Sequence, residues 1–148
     1  MLIDTLKTIF TQDLKKLRSE IELYHKEENI WKIKNQIANS AGNLCLHLVG
    51  NLNTYIGKEL GNTDYKRNRP LEFSLKNIPR QELLYKIDDT ILVVNKSLDN
   101  LKESALADEY PLQVLDKKTS TEYFLIHLST HLSYHLGQIN YHRRLLDN

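Results

Sequence analysis

The chain has 148 residues, 20 of them Lys or Arg and 19 Asp or Glu, so its net charge is +1. Residues 1–148 are long enough for one domain with its own core. The balanced charge argues against nucleic-acid binding, which usually needs a basic excess. A lone cysteine cannot form an internal disulfide, and no apolar run reaches the about 18 residues of a membrane span. With no signal peptide evident at the N-terminus, we expect a cytoplasmic protein that contacts no membrane.

Apolar residues recur with helical periodicity along most of the chain and predict four long helices. Their predicted bounds are about Leu2 to Glu28, Lys34 to Leu60, Pro79 to Ser104 and Thr119 to Leu146. Gly61 is the predicted C-cap of the second helix, and Thr119 with Glu122 forms a predicted capping box at the start of the fourth. Four amphipathic helices of this length predict an all-α fold, a four-helix bundle.

The predicted connection from Gly61 to Asn77 is long for a small domain, and long loops often carry function. Arg67 and Arg69 are its candidate substrate-binding residues, together with Glu72, because guanidinium groups bind carboxylates in a fork geometry. The alternative is a loop pinned to the bundle by salt bridges, in which Glu72 pairs with one of the arginines.

Three histidines, His127, His131 and His135, follow one another at four-residue intervals in the fourth predicted helix. On a helix, such neighbours lie about 40° apart and about 6 Å along the axis, so they form one row. This row borders the leucine stripe and therefore faces the interior of the bundle or its edge. Two imidazoles at this spacing can bind one metal ion, as in other His-x-x-x-His helical sites.

His47 is a fourth candidate ligand, because it lies in an apolar segment of the second predicted helix. Asn51 shares its face one turn later, whereas Cys45 is about 200° away and is not expected to be a ligand. Small residues in this region predict a close approach to the fourth helix: Ala38, Ser40, Ala41, Gly42 and Gly50. Each histidine could instead be a hydrogen-bonded or an exposed imidazole without a metal. This is the expectation for His142 and His25, which lie too far along their helices to join the cluster.

The segment from His131 through His135 to Gly137 and Gln138, combined with His47, resembles the signature of the DinB-like superfamily of four-helix bundles. The loop Tyr65–Ser74 and the segment after Gln138 resemble an uncharacterised branch of it. The resemblance implies a divalent metal, zinc or nickel, bound by His47, His131 and His135. It also implies a homodimer, and the superfamily includes thiol-dependent enzymes such as bacillithiol S-transferases.

The leading hypothesis is a metal-dependent thiol S-transferase whose small-molecule substrate is a low-molecular-weight thiol. A metal-dependent hydrolase is the second hypothesis; there His127 or Tyr134 would move protons and Asn51 would orient a water or act as a weak ligand. A non-enzymatic metal-binding or stress-response module is the third.

Two further expectations concern side chains around this site. Gln138 either fixes a histidine tautomer or packs between helices. Trp31, Phe73 and Tyr134 line a pocket or fill the core, and the core is the favoured interpretation.

Overall fold

Five α-helices make up the protein in the computed structural model, which describes residues 1–148. They are α1 (Leu2–Leu23), α2 (Ala41–Leu52), α3 (Arg69–Ser74), α4 (Arg80–Asp99) and α5 (Thr121–Leu146). A π-helical stretch, Asn53–Lys58, continues α2 directly, and 3-10 turns cover Glu27–Trp31 and Glu103–Ala107. There is no β-strand, so the prediction of an all-α bundle built on four long helices is confirmed.

The four long helices pack so that α1 and α2 each contact both α4 and α5. Each helix buries one apolar side in a common core, as Phe10, Leu14 and Leu17 of α1 do. The connection before α2 adds Trp31, whose ring lies over Gly42; a Cβ there would be 2.6 Å from the ring. None of the helices is both long and apolar enough to cross a membrane.

The predicted ends of the first two helices are wrong. α1 ends at Leu23 rather than near Glu28, because Tyr24 has an extended backbone with ψ 126°. α2 begins at Ala41 rather than near Lys34, because the Ser40 hydroxyl caps it by accepting from the Asn43 amide at 3.1 Å. α4 likewise ends at Asp99, short of the predicted end.

Two predicted caps are also displaced by one residue. Asn62, with φ 55°, adopts the left-handed conformation expected of Gly61. Gly61 is needed instead for packing, because a Cβ there would lie 2.1 Å from the Ser97 hydroxyl. At the start of α5 the capping residue is Ser120 rather than Thr119, and its hydroxyl accepts from the Tyr123 amide.

The Asp147 carboxylate connects the end of α5 to the segment that follows α1. It accepts hydrogen bonds from the backbone amides of His25 and Lys26 and from the Asn29 side chain. Burial acts to raise the pKa of Asp147, but these three hydrogen bonds outweigh it and hold the pKa below its ordinary value. The ionised carboxylate therefore stabilises the fold.

We expect Asp147→Asn to lower the free energy of unfolding at pH 7 by about 1.5–3 kcal/mol, as for other hydrogen bonds to a charged group. Because the pKa is lower in the folded state, this stabilisation is present above the unfolded pKa of about 3.9 and is lost as pH falls further. Urea unfolding of parent and variant should thus converge below about pH 4. Asp89→Asn, at an exposed position of α4, is the control; an equal loss there would contradict the assignment.

Candidate metal centre

Three histidines from two helices meet at one point between α2 and α5. His47 is buried on α2, and His131 and His135 are half-buried on α5. One ring nitrogen of each lies within 4.8 Å of one nitrogen of each of the others, a spacing at which they could hold a metal ion. The Nε2 atoms of His47 and His131 are 3.2 Å apart, near the about 3.3 Å edge of a tetrahedron with zinc–nitrogen bonds of about 2.0–2.1 Å.

Hydrogen bonds at the far side of two rings direct these nitrogens into the cluster. The Nδ1 atom of His47 is 3.1 Å from Glu72 Oε1, and Nδ1 of His135 is 2.7 Å from Gln138 Oε1. Both oxygens accept only, so each Nδ1 carries the proton and each Nε2 presents a lone pair. Such outer partners orient metal-binding histidines. Of the two expectations for Gln138, its contact is that of a residue fixing a histidine tautomer.

The Glu72 carboxylate is itself fixed by Arg67. The guanidinium donates from Nε to Oε2 at 2.8 Å and from Nη2 to Oε1 at 3.0 Å, a bidentate pair. Burial acts to raise the pKa of Glu72, but the hydrogen bonds from His47 and Arg67 hold it below its ordinary value. The carboxylate therefore stays ionised beside the imidazole of His47.

Gly50 makes room for this carboxylate on α2. A Cβ at that position would lie 1.9 Å from Glu72 Oε2 and 2.7 Å from its Cδ. The Asn43 side chain, on the same face of α2, donates to the backbone carbonyls of Glu72 and Leu75 at 2.9 and 2.8 Å. Together the glycine and the asparagine hold α3 against α2. Gly50 thus serves the approach of α3, and Gly42 serves that of Trp31.

A divalent metal ion binds the neutral form of a histidine ring. Burial, reinforced by the neighbouring histidines and Arg67, lowers the pKa of His131 to about 4. Burial also lowers the pKa of His135. The Nδ1 atom of His131 is buried without a hydrogen-bond partner. Three imidazoles whose ring nitrogens converge fit a divalent ion and leave a further coordination position without a protein ligand.

Two cavities adjoin the triad and are lined by different members of it. A cavity of about 190 Å³ is lined by His47 and His131, and a larger one of about 560 Å³ is lined by His135. No residue lines both. Cys45 contributes to neither, and burial raises the pKa of its thiol to about 12, so it is inert.

The other predicted site residues are divided between these cavities. Asn51, His127 and Arg69 line the smaller one, as does Arg67. The Oδ1 atom of Asn51 is buried and has no hydrogen-bond partner. Arg69 is exposed, with its guanidinium carbon 5.3 Å from the centre of the Phe73 ring.

The three aromatic residues differ in their surroundings. Trp31 is a core residue, as favoured. Phe73 is half-buried, with its ring 5.0 Å from that of His47. The core interpretation of Tyr134 is wrong: 65% of the residue is exposed, because it lies on the outer side of α5, and it lines the larger cavity.

The remaining histidines lie apart from the triad. Buried His142 accepts from the Tyr24 hydroxyl at Nδ1 and donates from Nε2 to the Lys32 carbonyl, at 2.6 and 2.8 Å. His25 is exposed. This placement agrees with the expectation that neither residue belongs to the cluster.

Sequence reasoning missed Glu72 as the partner of His47 and Gly50 as the space that admits it. One local signal was available. Asn68, followed by Arg69 and Pro70, is a helix-start pattern, and it begins α3 with the Asn68 side chain as cap. Recognising that helix would have indicated a structured segment rather than a loop around Glu72.

A helical bundle with a three-histidine cluster defines a class of candidate metalloproteins. Comparison with protein families matches residues 2–148 to DUF1572, described as a protein of unknown function. The chain therefore belongs to the DUF1572 family. A search of curated proteins found no match.

We expect Gly50→Ala to weaken zinc binding by about 10–100-fold, the usual effect of losing a partner of a metal-binding histidine. The added methyl group would displace the Glu72 carboxylate and release the His47 ring. Competition titration with a chromophoric chelator measures the affinity.

Gly137→Ala is the matched control, since a Cβ there has no neighbour within 4 Å. It should keep the zinc affinity and gain up to about 1 kcal/mol of helix stability. Equal affinities for the two variants would contradict the role of the carboxylate.

Proposed function

We propose that this protein is a DinB-like, metal-dependent transferase that joins a low-molecular-weight thiol to an electrophile. Zinc or nickel would be held by His47, His131 and His135. The supporting observation is the three-histidine cluster, two of whose members line a cavity that Arg67 and Arg69 also line. When bound, the ion would supply Lewis acidity, which lowers the pKa of a coordinating thiol.

The basic side of the smaller cavity favours an anionic thiol. Arg67 is engaged with Glu72, whereas Arg69 contacts the Phe73 ring and leaves its donors available for a substrate carboxylate. Arg69 would thus bind the acidic part of the thiol molecule and place its sulfur toward the histidines. The Arg67 contribution is mainly the positioning of Glu72.

Proton transfer falls to residues that line the same cavity. The unpartnered Oδ1 of Asn51 can accept the thiol hydrogen bond, and a ring nitrogen of His127 can take the proton. With a haloarene as electrophile, a carbon–sulfur bond forms and the carbon–halogen bond breaks. The halide leaves with the bonding electron pair, and the proton remains on His127.

A metal-dependent hydrolase is the second candidate, because Asn51 Oδ1 could orient a water as readily as a thiol. The lining of the smaller cavity contains no carboxylate that could serve as a general base. Glu72, the nearest one, is committed to Arg67 and His47. This favours the thiol, which needs a weaker base than water does. Tyr134, on the other side of His135, is less suited to proton transfer here.

A homodimer in the cytoplasm completes the proposal, and sedimentation analysis tests the dimer. A non-enzymatic metal-binding or stress-response module is the interpretation to adopt if metal binds without any turnover.

Elemental analysis of untagged protein should find about one zinc or nickel ion per chain. The double variant His131→Ala, His135→Ala should lose it while its circular dichroism stays helical, because two of three ligands are absent. His25→Ala, at an exposed histidine, is the control and should keep the ion. An ion retained by the double variant would place the metal elsewhere.

Metal-loaded protein mixed with bacillithiol and 1-chloro-2,4-dinitrobenzene should form the thioether faster than the background reaction. Arg69→Gln should raise the KM for the thiol about tenfold, equivalent to about 1.4 kcal/mol, and change kcat little. Lys66→Gln removes the same charge from an exposed loop position outside the cavity and should leave both constants unchanged. No rate above background with several thiols would remove the transferase proposal.

A further inference from the structure

The larger cavity is formed by α5 and by the segment that precedes α2. Its volume is about 560 Å³, within the range of about 300–1,000 Å³ typical of small-molecule sites. The lining is Gln36, Ile37, Ala38, Asn39, Leu44, Tyr134, His135, Gln138, Tyr141, His142 and Leu145. His135 thus connects this cavity to the triad, which His47 and His131 connect to the smaller one.

The lining contains no Lys, Arg, Asp or Glu, in contrast to the two arginines beside the smaller cavity. Its buried histidine, His142, uses one ring nitrogen to accept from Tyr24 and the other to donate to Lys32. Burial also lowers the pKa of His142. A charged ligand would therefore lose its hydration here without gaining a counter-charge, which is costly.

Aromatic and aliphatic surface dominates the walls. The Tyr134 and Tyr141 residues are 65% and 63% exposed, and Leu145 is 62% exposed, so the face that they present is available to a ligand. Aromatic side chains favour offset or edge-to-face contact with another ring. This side of the triad suits a planar apolar molecule.

Gln138 adds a polar group beside the triad. Its Oε1 accepts from His135 Nδ1, so its amide NH₂ group remains for a ligand. A carbonyl or nitro oxygen on the ligand would accept that hydrogen bond. The same glutamine would then contact both the ligand and a histidine of the triad.

We propose that the larger cavity binds an uncharged aromatic molecule bearing a hydrogen-bond acceptor, and that this molecule is the electrophilic substrate. The two substrates would then occupy separate cavities that adjoin the triad, the anionic thiol beside Arg69 and the neutral electrophile beside Gln138. The substrate role rests on the proposed function, whereas the binding needs neither the thiol nor the metal.

Calorimetric titration with two probes of matched shape tests the charge preference. 1-Acetonaphthone is uncharged, and 1-naphthoate replaces its methyl ketone with a carboxylate. We expect 1-acetonaphthone to bind at least about tenfold more tightly, in both the metal-free and the zinc-loaded protein. Equal affinities, or tighter binding of 1-naphthoate, would overturn the proposal.

Leu145→Arg places a charge at the edge of the cavity without disturbing the core, because the residue is 62% exposed. It should weaken 1-acetonaphthone about tenfold and strengthen 1-naphthoate. Leu92→Arg, at a 70% exposed residue of α4 outside the cavity, should change neither. The same response in both variants would overturn the assignment of the cavity.

Measuring probe binding and thiol turnover on the same protein distinguishes a failure of this inference from a failure of the proposed function. Binding of 1-acetonaphthone without any thiol turnover would support the site and remove the transferase. Turnover without such binding would remove the site alone. If the parent binds neither probe and sediments as a dimer that Leu145→Arg dissociates, a second copy of the chain covers the cavity, and the proposal is overturned.

Discussion

The buried carboxylate of Glu72 is the constraint on which the candidate site depends. It receives the His47 imidazole on one side and the fork of Arg67 on the other, and it lies against α2 where Gly50 has no side chain. A buried carboxylate without such partners would be costly. Paired as it is, it fixes the tautomer of His47 and connects the short α3 to the bundle. The region that precedes and contains α3 is therefore part of the site, not a connection alone.

The two helices that supply the triad, α2 and α5, differ in burial. α2 is buried along its whole length and supplies His47 from a position with little freedom. α5 presents His131 and His135 half-buried, and each of them lines a cavity. A structural ion is normally enclosed by four protein ligands, whereas three histidines meet here.

The two cavities differ in the charge of their linings, and this difference assigns one substrate of the proposed reaction to each cavity. Arg67 and Arg69 line the smaller cavity, whereas the lining of the larger cavity contains no Lys, Arg, Asp or Glu. An anionic thiol and a neutral aromatic electrophile would each be poorly bound in the other's cavity. Charge would thereby separate two substrates that a single pocket would have to distinguish by shape. Each cavity includes at least one histidine of the triad in its lining, so in the proposed reaction both substrates would adjoin the triad.

The sequence alone determined the features that depend on the helical period of 3.6 residues. These are the four amphipathic helices, the all-α class and the row of histidines on α5. His47 was identified by its apolar surroundings and by resemblance. Helix ends were less predictable: α2 begins after the Ser40 cap rather than near Lys34, and Ser120 rather than Thr119 caps α5. Only the tertiary structure paired His47 with Glu72, gave Gly50 its purpose and separated Arg67 from Arg69. Those contacts join residues distant in sequence, and their geometry depends on how α3 packs against α2, which no local pattern encodes.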